Sequence, residues 1–93
     1  MVGAVIHDTD KHQFTIDIGD YCAYLAYSDV GYKVIDIYTT YVPEALRGQN
    51  IAAELVAAAI DFVKQNNLKI IPTCSYVERY IERKGLLALV QEA

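Results

Sequence analysis

The sequence has no tryptophan, one methionine, two prolines and two cysteines, and no apolar run of membrane-spanning length. A helix that crosses a bilayer needs about 20 consecutive apolar residues, so no membrane partner is expected. Neither Cys22 nor Cys74 has a histidine nearby at the spacing of a zinc site, so we expect no metal. The first residues lack the basic start and apolar run of a signal peptide, which favours a cytoplasmic protein with reduced thiols.

Positive charge is also scarce. The net charge is −4 and no run of basic residues occurs. A protein that binds nucleic acid through its phosphates needs a basic stripe, so nucleic acid is not an expected partner. Before residue 40 there are six aspartates and only two lysines. An acidic face could favour a cationic substrate such as an amine, although solvated, turn-forming aspartates explain the same pattern.

Apolar residues, by contrast, are plentiful. They make up 54% of the 93 residues, and eight residues are tyrosine, which is enough for a packed core. A chain of this length forms one domain, so residues 1–93 are expected to fold as a single unit. Such a small domain buries only about 60–65% of its unfolded surface, which leaves little excess stability.

The pattern of apolar residues predicts the element order β-β-β-α-β-α. Alternation predicts strands over 14–18, 21–27 and 34–42, with turns at 19–20 and 28–31 and a possible further strand over 2–7. Apolar spacing near 3.6 residues predicts a helix over 50–66, followed by a short strand over 68–73. A second helix is expected over 75–84, with Ser75 as N-cap, Glu78 completing a capping box and Gly85 ending it. The apolar tail 86–90 should pack on the body.

This order predicts a mixed α/β (α+β) fold. An antiparallel meander leads into a β-α-β unit, and a C-terminal helix follows. The strands on either side of the long helix should be parallel neighbours, joined by a right-handed crossover.

The segment 42–52 carries the clearest chemical signal, because a strand ends there, a short loop follows and a helix begins. The first backbone N–H groups of a helix have no intrahelical partner, and the helix dipole adds positive charge at that end. Such an end binds phosphate well. Gly48 permits close backbone approach, Asn50 tolerates a left-handed backbone, and Arg47 adds a permanent cation.

The six residues from Arg47 to Ala52 resemble the acetyl-coenzyme A loop of Gcn5-related N-acetyltransferases, whose usual form is Arg-Gly-Gln-Gly-Ile-Ala. The stretch 70–77 looks like the hallmark of a short subgroup that lacks the N-terminal helices of the full-size enzymes. The resemblance runs over about 14–80. It departs from the family twice, since Asn50 replaces a glycine and Thr39-Thr40 stands where the subgroup often has His-Thr.

The resemblance implies a minimal acyl-CoA N-acyltransferase fold, with acetyl-coenzyme A as co-substrate and an amine as acceptor. We expect a monomer or weak homodimer. It implies Cys74 as the catalytic residue, either a nucleophile or a proton donor to the departing thiolate. The residues it implies for coenzyme A binding are Val42, Arg47, Gly48, Gln49, Asn50, Ile51, Ala52 and Ser75. The alternatives are a coenzyme A-binding or interaction module with little transfer activity, and a structural domain without a small ligand.

Several other residues admit a chemical role but have a simpler explanation. Cys74 itself could be a small buried residue, although a helix N-terminus directly after it could lower the pKa of its thiol. Cys22 lies in mid-strand and is expected in the core. Tyr76 and Tyr80 share one helix face and could donate a proton, but such pairs more often pack. His7 and His12 are expected to be structural.

Overall fold

A computed structural model describes residues 4–92, which form one five-stranded sheet with two α-helices. The sheet order is β1-β2-β3-β4-β5; the first four strands are antiparallel and β4 pairs with β5 in parallel. This confirms the predicted meander and β-α-β unit. The elements are β1 (Ile6–Asp8), β2 (Gln13–Ile18), β3 (Tyr21–Gly31), β4 (Val34–Tyr41), α1 (Ile51–Gln65), β5 (Lys69–Ile71) and α2 (Ser75–Arg83).

The turn predicted at 28–31 is wrong, because β3 continues through this segment to Gly31. The chain reverses instead at Tyr32 and Lys33, whose φ angles are 56° and 60°. Positive φ at both central residues defines the type I′ hairpin turn, which matches the twist of the flanking strands. Such turns usually contain Asn-Gly or Asp-Gly, so the Tyr-Lys pair offered no sequence signal.

The N-terminus of α2 also differs from the prediction. Ser75 is already the first helical residue, and Cys74 is the N-cap, with an extended backbone. No side chain caps this end, so the capping box predicted between Ser75 and Glu78 is wrong. The other end agrees with the prediction. Gly85 has a φ of 68°, and the Leu86 N–H donates to the Ile81 carbonyl at 2.9 Å, as in a Schellman stop.

A single core lies between one face of the sheet and both helices. Helix α1 contributes its apolar stripe as predicted, and α2 adds Val77 and Ile81. Leu86, Leu89 and Val90 pack against the edge of this core, which confirms the predicted docking of the tail. Neither helix of the described residues is long and apolar enough to span a membrane. The core residues from the sheet are Phe14, Ile16, Ala23, Leu25, Tyr27, Ile35, Ile37 and Ile70.

The prediction that Cys22 belongs to the core is wrong, because this residue is exposed. It pairs with Asp17 across β2 and β3, whereas the next pair, Ile16 with Ala23, is completely buried. Neighbouring residues of a strand point to opposite faces. Cys22 therefore lies on the sheet face that neither helix covers. Desolvation and the adjacent Asp17 carboxylate raise the pKa of its thiol.

An aromatic cluster closes the core at the β1 end. The His7 ring stacks on Phe14 at a centroid distance of 4.1 Å and meets the edge of Phe62 at 4.5 Å. Its Nε2 atom shares a hydrogen bond of 2.6 Å with the Tyr27 hydroxyl. Desolvation, with a smaller contribution from His12, lowers the pKa of His7 below its ordinary value of 6.5. A neutral packed imidazole supports the structural interpretation of this residue.

Because its pKa is lower in the folded chain, His7 should make stability depend on pH. Below about pH 6.5 the unfolded chain binds a proton at this site more readily than the folded chain does. The free energy of unfolding is therefore expected to have its full value above that pH and to decrease as the pH falls below it. Urea unfolding at about pH 7.5, 6.5 and 5.5 measures this slope.

Two variants identify His7 as the source of the slope. His7→Phe keeps an aromatic ring but removes the titration, so its slope between about pH 7.5 and 5.5 should be clearly smaller. His12→Asn is the control. Its backbone φ of 54° suits asparagine, and the larger cause of the His7 shift is desolvation, so this variant should keep most of the slope. An unchanged slope in His7→Phe would contradict the assignment.

Candidate functional site

The loop between β4 and α1 has the backbone of an anion site. Gly48 and Asn50 both lie in the left-handed region, with φ angles of 84° and 64°. Asn50 is the N-cap of α1 but makes no side-chain capping bond. The Glu54 N–H donates to the Asn50 carbonyl at 3.2 Å, so the amides of the preceding helical residues point out of the helix end. Uncapped amides of this kind attract phosphate oxygens.

Two further features make this helix end accessible and positive. A methyl group added at Gly48 would meet no atom within 4 Å, so the backbone there faces open space. Arg47 is exposed, and its Nε atom donates to the Val42 carbonyl at 3.2 Å. This bond folds the arginine side chain back towards the end of β4, and Arg47 lines the same cleft as the first residues of α1. The left-handed backbone that Asn50 was expected to tolerate is observed.

A cleft of about 210 Å³ opens beside this loop, between the end of β4 and the N-termini of the two helices. Its lining is mainly apolar. Six predicted residues line it, but Gln49 and Ser75 do not, although both are exposed next to residues that do. The lining residues are Val42, Leu46, Arg47, Gly48, Asn50, Ile51, Ala52, Ala53 and Tyr76.

Two of the lining residues, Leu46 and Ala53, were missed by the sequence analysis, and a third, Tyr76, was considered there only as a proton donor. Leu46 lies in a short 3-10 helix, Glu44–Leu46, in a segment that was predicted to be a loop. Tyr76 comes from the first turn of α2. A signal for it existed, since parallel strands deliver the helices that follow them to the same edge of the sheet. The predicted parallel pairing therefore implied that the first turns of α1 and α2 are neighbours, although this consequence was not used.

The strands β4 and β5 separate beside this cleft. Their last paired residues are Asp36 and Ile71, and the Cys74 N–H then donates to the Ile37 carbonyl at 2.9 Å. Beyond this point β4 continues to Tyr41, whereas the chain after Cys74 turns into α2. The two backbones thus enclose a gap, and strand edges in the gap have free hydrogen-bonding capacity.

Cys74 lies at the closed end of the gap. It is half-buried, and its Sγ atom lies 3.6 Å from the Thr40 hydroxyl, to which it donates. Thr40 pairs with Leu25 of the core face, whereas Thr39 pairs with Ala26 and faces the uncovered side of the sheet. Cys74 does not line the cleft itself, but Tyr76, two residues further along the chain, does. The thiol and the cleft are therefore neighbours.

Comparison with known proteins identifies the family of this fold. The sequence pattern of the GCN5-related N-acetyl-transferases matches residues 11–88, and the chain belongs to this family. This confirms the resemblance inferred from the loop and from the 70–77 segment.

Relatives and a solved structure agree with this assignment. The chain is 40% identical over 85 residues to Protein NATD1 of Gallus gallus, covering 88% of this chain and 76% of that protein. It is 42% identical over 80 residues to Protein NATD1 of Danio rerio, covering 84% and 73%. Its fold matches the solution structure of a GCN5-like protein from Staphylococcus aureus with a TM-score of 0.75 and 25% identity, covering 97% of this chain and 89% of that one.

Proposed function

We propose that the cleft binds acetyl-coenzyme A and that the domain transfers the acetyl group to an amine. The observation that carries this proposal is the β4–α1 loop. Gly48 and Asn50 are both left-handed, the helix end after them has no side-chain cap, and Arg47 lies beside it. An ordinary loop would bury or cap its amides. This loop leaves them free, so it suits a doubly charged pyrophosphate better than an ordinary loop does.

The residues present fit the parts of coenzyme A. The backbone amides from Gly48 to Ala52, with the Arg47 guanidinium, would hold the pyrophosphate. Gly48 has no side chain that would obstruct the phosphate oxygens. The apolar walls at Val42, Leu46 and Tyr76 suit the pantetheine arm, which carries amide groups along an aliphatic chain. Free backbone groups in the gap between β4 and Cys74 would pair with those amides.

Acetyl-coenzyme A would supply an activated thioester, and the contribution of this chain would be mainly position. When the thioester and the amine are held in contact, their reaction no longer depends on a bimolecular encounter in solution. This gain in rate is one of the largest that an enzyme can provide. Cys74 is the residue proposed to assist the chemistry. Its Sγ–H, now donated to Thr40, would instead donate to the departing thiolate of coenzyme A. The Tyr76 hydroxyl is the rival donor, since this residue lines the cleft.

A second candidate function is coenzyme A binding without efficient transfer. The specific observation in its favour is the pair Thr39 and Thr40, which occupies the place of a His-Thr pair and offers no side chain that titrates near neutral pH. Two measurements separate the candidates. Calorimetric titration with acetyl-coenzyme A tests binding, and thiol release in the presence of a panel of amines tests transfer. Binding without thiol release would support the second candidate.

Cys74 is expected to be a reactive thiol whose loss slows transfer. In a Cys22→Ser background it should react with iodoacetamide at neutral pH, and bound coenzyme A should slow that reaction. Cys74→Ala should lower kcat by about tenfold, less than a typical general acid contributes, because a thiolate leaves with little protonic assistance. Peptide mass spectrometry and thiol release measure the two effects.

The Cys74 experiment has a matched control in Tyr76→Phe, which removes the rival hydroxyl and keeps the ring. If Cys74 is the donor, Tyr76→Phe should leave kcat nearly unchanged. A large loss in Tyr76→Phe with full activity in Cys74→Ala would transfer the role to the tyrosine. An unreactive Cys74 together with full transfer by its alanine variant would leave only the binding site.

A further inference from the structure

We propose that two copies of this chain associate through the β3–β4 hairpin, so that the Tyr32 ring of each copy enters a cavity of the other. The two contacts are equivalent and related by a twofold axis. This association does not depend on the transfer function proposed above.

A second cavity, of about 440 Å³, opens beside the hairpin tip and next to the C-terminal end of α1. It lies at the start of β4, whereas the coenzyme A cleft lies beyond the end of this strand. At about 3.3 Å per residue the two are roughly 25 Å apart, so a partner at the hairpin leaves the cleft open. The apolar part of this hairpin cavity is formed by Val34, Ile35, Phe62 and Leu68, and its polar part includes His12, Asp29, Lys33 and Asn66.

Tyr32 lines the hairpin cavity, yet its side chain is fully exposed. Its φ angle of 56° lies in the left-handed region, which is costly for a bulky residue. Asparagine or glycine is favoured at this position of a type I′ turn, so the stability of the single chain does not explain a tyrosine here. Burial of the ring by a partner does explain it, because aromatic rings contribute strongly to interfaces.

The backbone that carries Tyr32 is held on both sides. The Gly31 N–H donates to the Asp29 carboxylate at 2.9 Å, and the Lys69 N–H donates to the Lys33 carbonyl at 2.9 Å. A ring presented on a fixed turn needs little ordering of the backbone when it binds, which lowers the entropic cost of association.

The position of the ring beside the cavity indicates a second copy of the chain as the partner. One surface patch carries both the protruding ring and the cavity that can receive it, and such a patch is complementary to itself under twofold symmetry. The cavity is larger than a tyrosine ring. His12 and Asn66 in its lining can form hydrogen bonds with the entering hydroxyl.

Charges around the hairpin cavity favour the same partner. Asp29 and Lys33 both line it and both are exposed. The Asp29 carboxylate accepts from a backbone N–H of its own turn, so its negative charge is available to a cation from outside. In a twofold pair Asp29 of one copy can face the partner's Lys33, and the same pair then forms twice. Complementary charges of this kind fix the orientation of an interface.

The size of the contact predicts a weak dimer. Two tyrosine rings and the surfaces that receive them would bury roughly 800–1,200 Å² in total, which is typical of transient complexes. We therefore expect a dissociation constant of about 10 µM to 1 mM.

Sedimentation velocity between about 10 µM and 2 mM tests the association, and the wild type should shift from monomer to dimer over this range. Tyr32→Asn should weaken dimerisation by at least about 30-fold, the effect of losing an interface hot spot. The same change should raise the thermal stability of the monomer, because asparagine suits the left-handed backbone. Tyr21→Asn is the matched control. Tyr21 is a half-exposed tyrosine beside another hairpin turn and does not line the hairpin cavity, so this variant should dimerise as the wild type does.

Charge reversal tests whether the partner is a second copy in the twofold arrangement. Asp29→Lys and Lys33→Glu each bring like charges together across the interface, so each variant alone should be monomeric. An equimolar mixture of the two should associate, because opposite charges then face each other at both pairs. Circular dichroism checks that both variants are folded.

Two results would overturn the proposal. A wild-type protein that stays monomeric at about 2 mM would leave the hairpin cavity to a different molecule. A dimer that survives Tyr32→Asn, or folded charge variants that stay apart when mixed, would place the interface elsewhere on the chain.

Discussion

Arg47→Glu is expected to weaken acetyl-coenzyme A binding by about 30- to 150-fold, or roughly 2–3 kcal/mol. Arg47 lines the cleft in which the pyrophosphate is proposed to bind, and its side chain is held there by its bond to the Val42 carbonyl. Glutamate removes the cation and adds an anion next to the phosphate oxygens. Isothermal titration calorimetry measures the change in Kd, and its dependence on salt should decrease because one ionic contact is lost.

The control for Arg47→Glu is the same change of charge at a position outside the cleft. Arg79 is exposed on α2 and does not line the cleft, so Arg79→Glu alters net charge equally without touching the proposed phosphate site. It should change affinity by less than about twofold. Circular dichroism should show both variants folded, since both positions are exposed. An affinity that is unaffected by Arg47→Glu in a folded protein would remove the pyrophosphate from this loop.

Asn50→Val is expected to damage both stability and coenzyme A binding, whereas Asn50→Gly should preserve or improve both. The backbone of Asn50 has φ 64° and ψ 21°, which glycine adopts freely and asparagine tolerates. A β-branched residue is strained there by about 1–3 kcal/mol. If the loop relieves that strain by changing conformation, the amides after it move and affinity falls. Thermal unfolding and calorimetry measure the two effects.

Asn67 provides a control within the same chain. Its φ angle is 55°, nearly that of Asn50, but it lies after the opposite end of α1 and outside the cleft. Asn67→Val should therefore lower stability by a similar amount and leave coenzyme A affinity unchanged. If Asn50→Gly and Asn50→Val bind coenzyme A equally well, the left-handed backbone at this position is not part of the binding site.

The comparison of prediction and structure shows where sequence patterns were informative. Helix α1 was predicted to within one residue at each end, because its apolar stripe repeats at helical spacing over four turns. The turn predicted at 28–31 was wrong because aspartate and glycine are frequent in turns but also occur within strands. Gly31 ends β3 instead, and the reversal uses two residues, Tyr32 and Lys33, that carry no turn preference.

The candidate site likewise contains residues that the local sequence predicts and residues that only the tertiary structure places. Arg47, Gly48 and Asn50 could be proposed from the sequence because the roles expected of them depend on local backbone conformation and on a helix end, both of which are encoded within a few residues. Tyr76 could not be placed in the cleft from its own neighbours, because it reaches Val42 only through the parallel pairing of β4 and β5. Gln49 and Ser75 flank lining residues in sequence but do not line the cleft.

The sequence by itself determined the order of the elements, the family and the loop for which anion binding is proposed, since these follow from short-range periodicity and from contiguous residues. Only the tertiary structure decided which face of the sheet the helices cover. Both helices pack on the face of Phe14 and Ile37, which leaves Cys22 exposed. Alternation along a strand divides its residues into two sets, but an antiparallel sheet can bury either set. That choice depends on contacts between residues distant in sequence, which no local pattern contains.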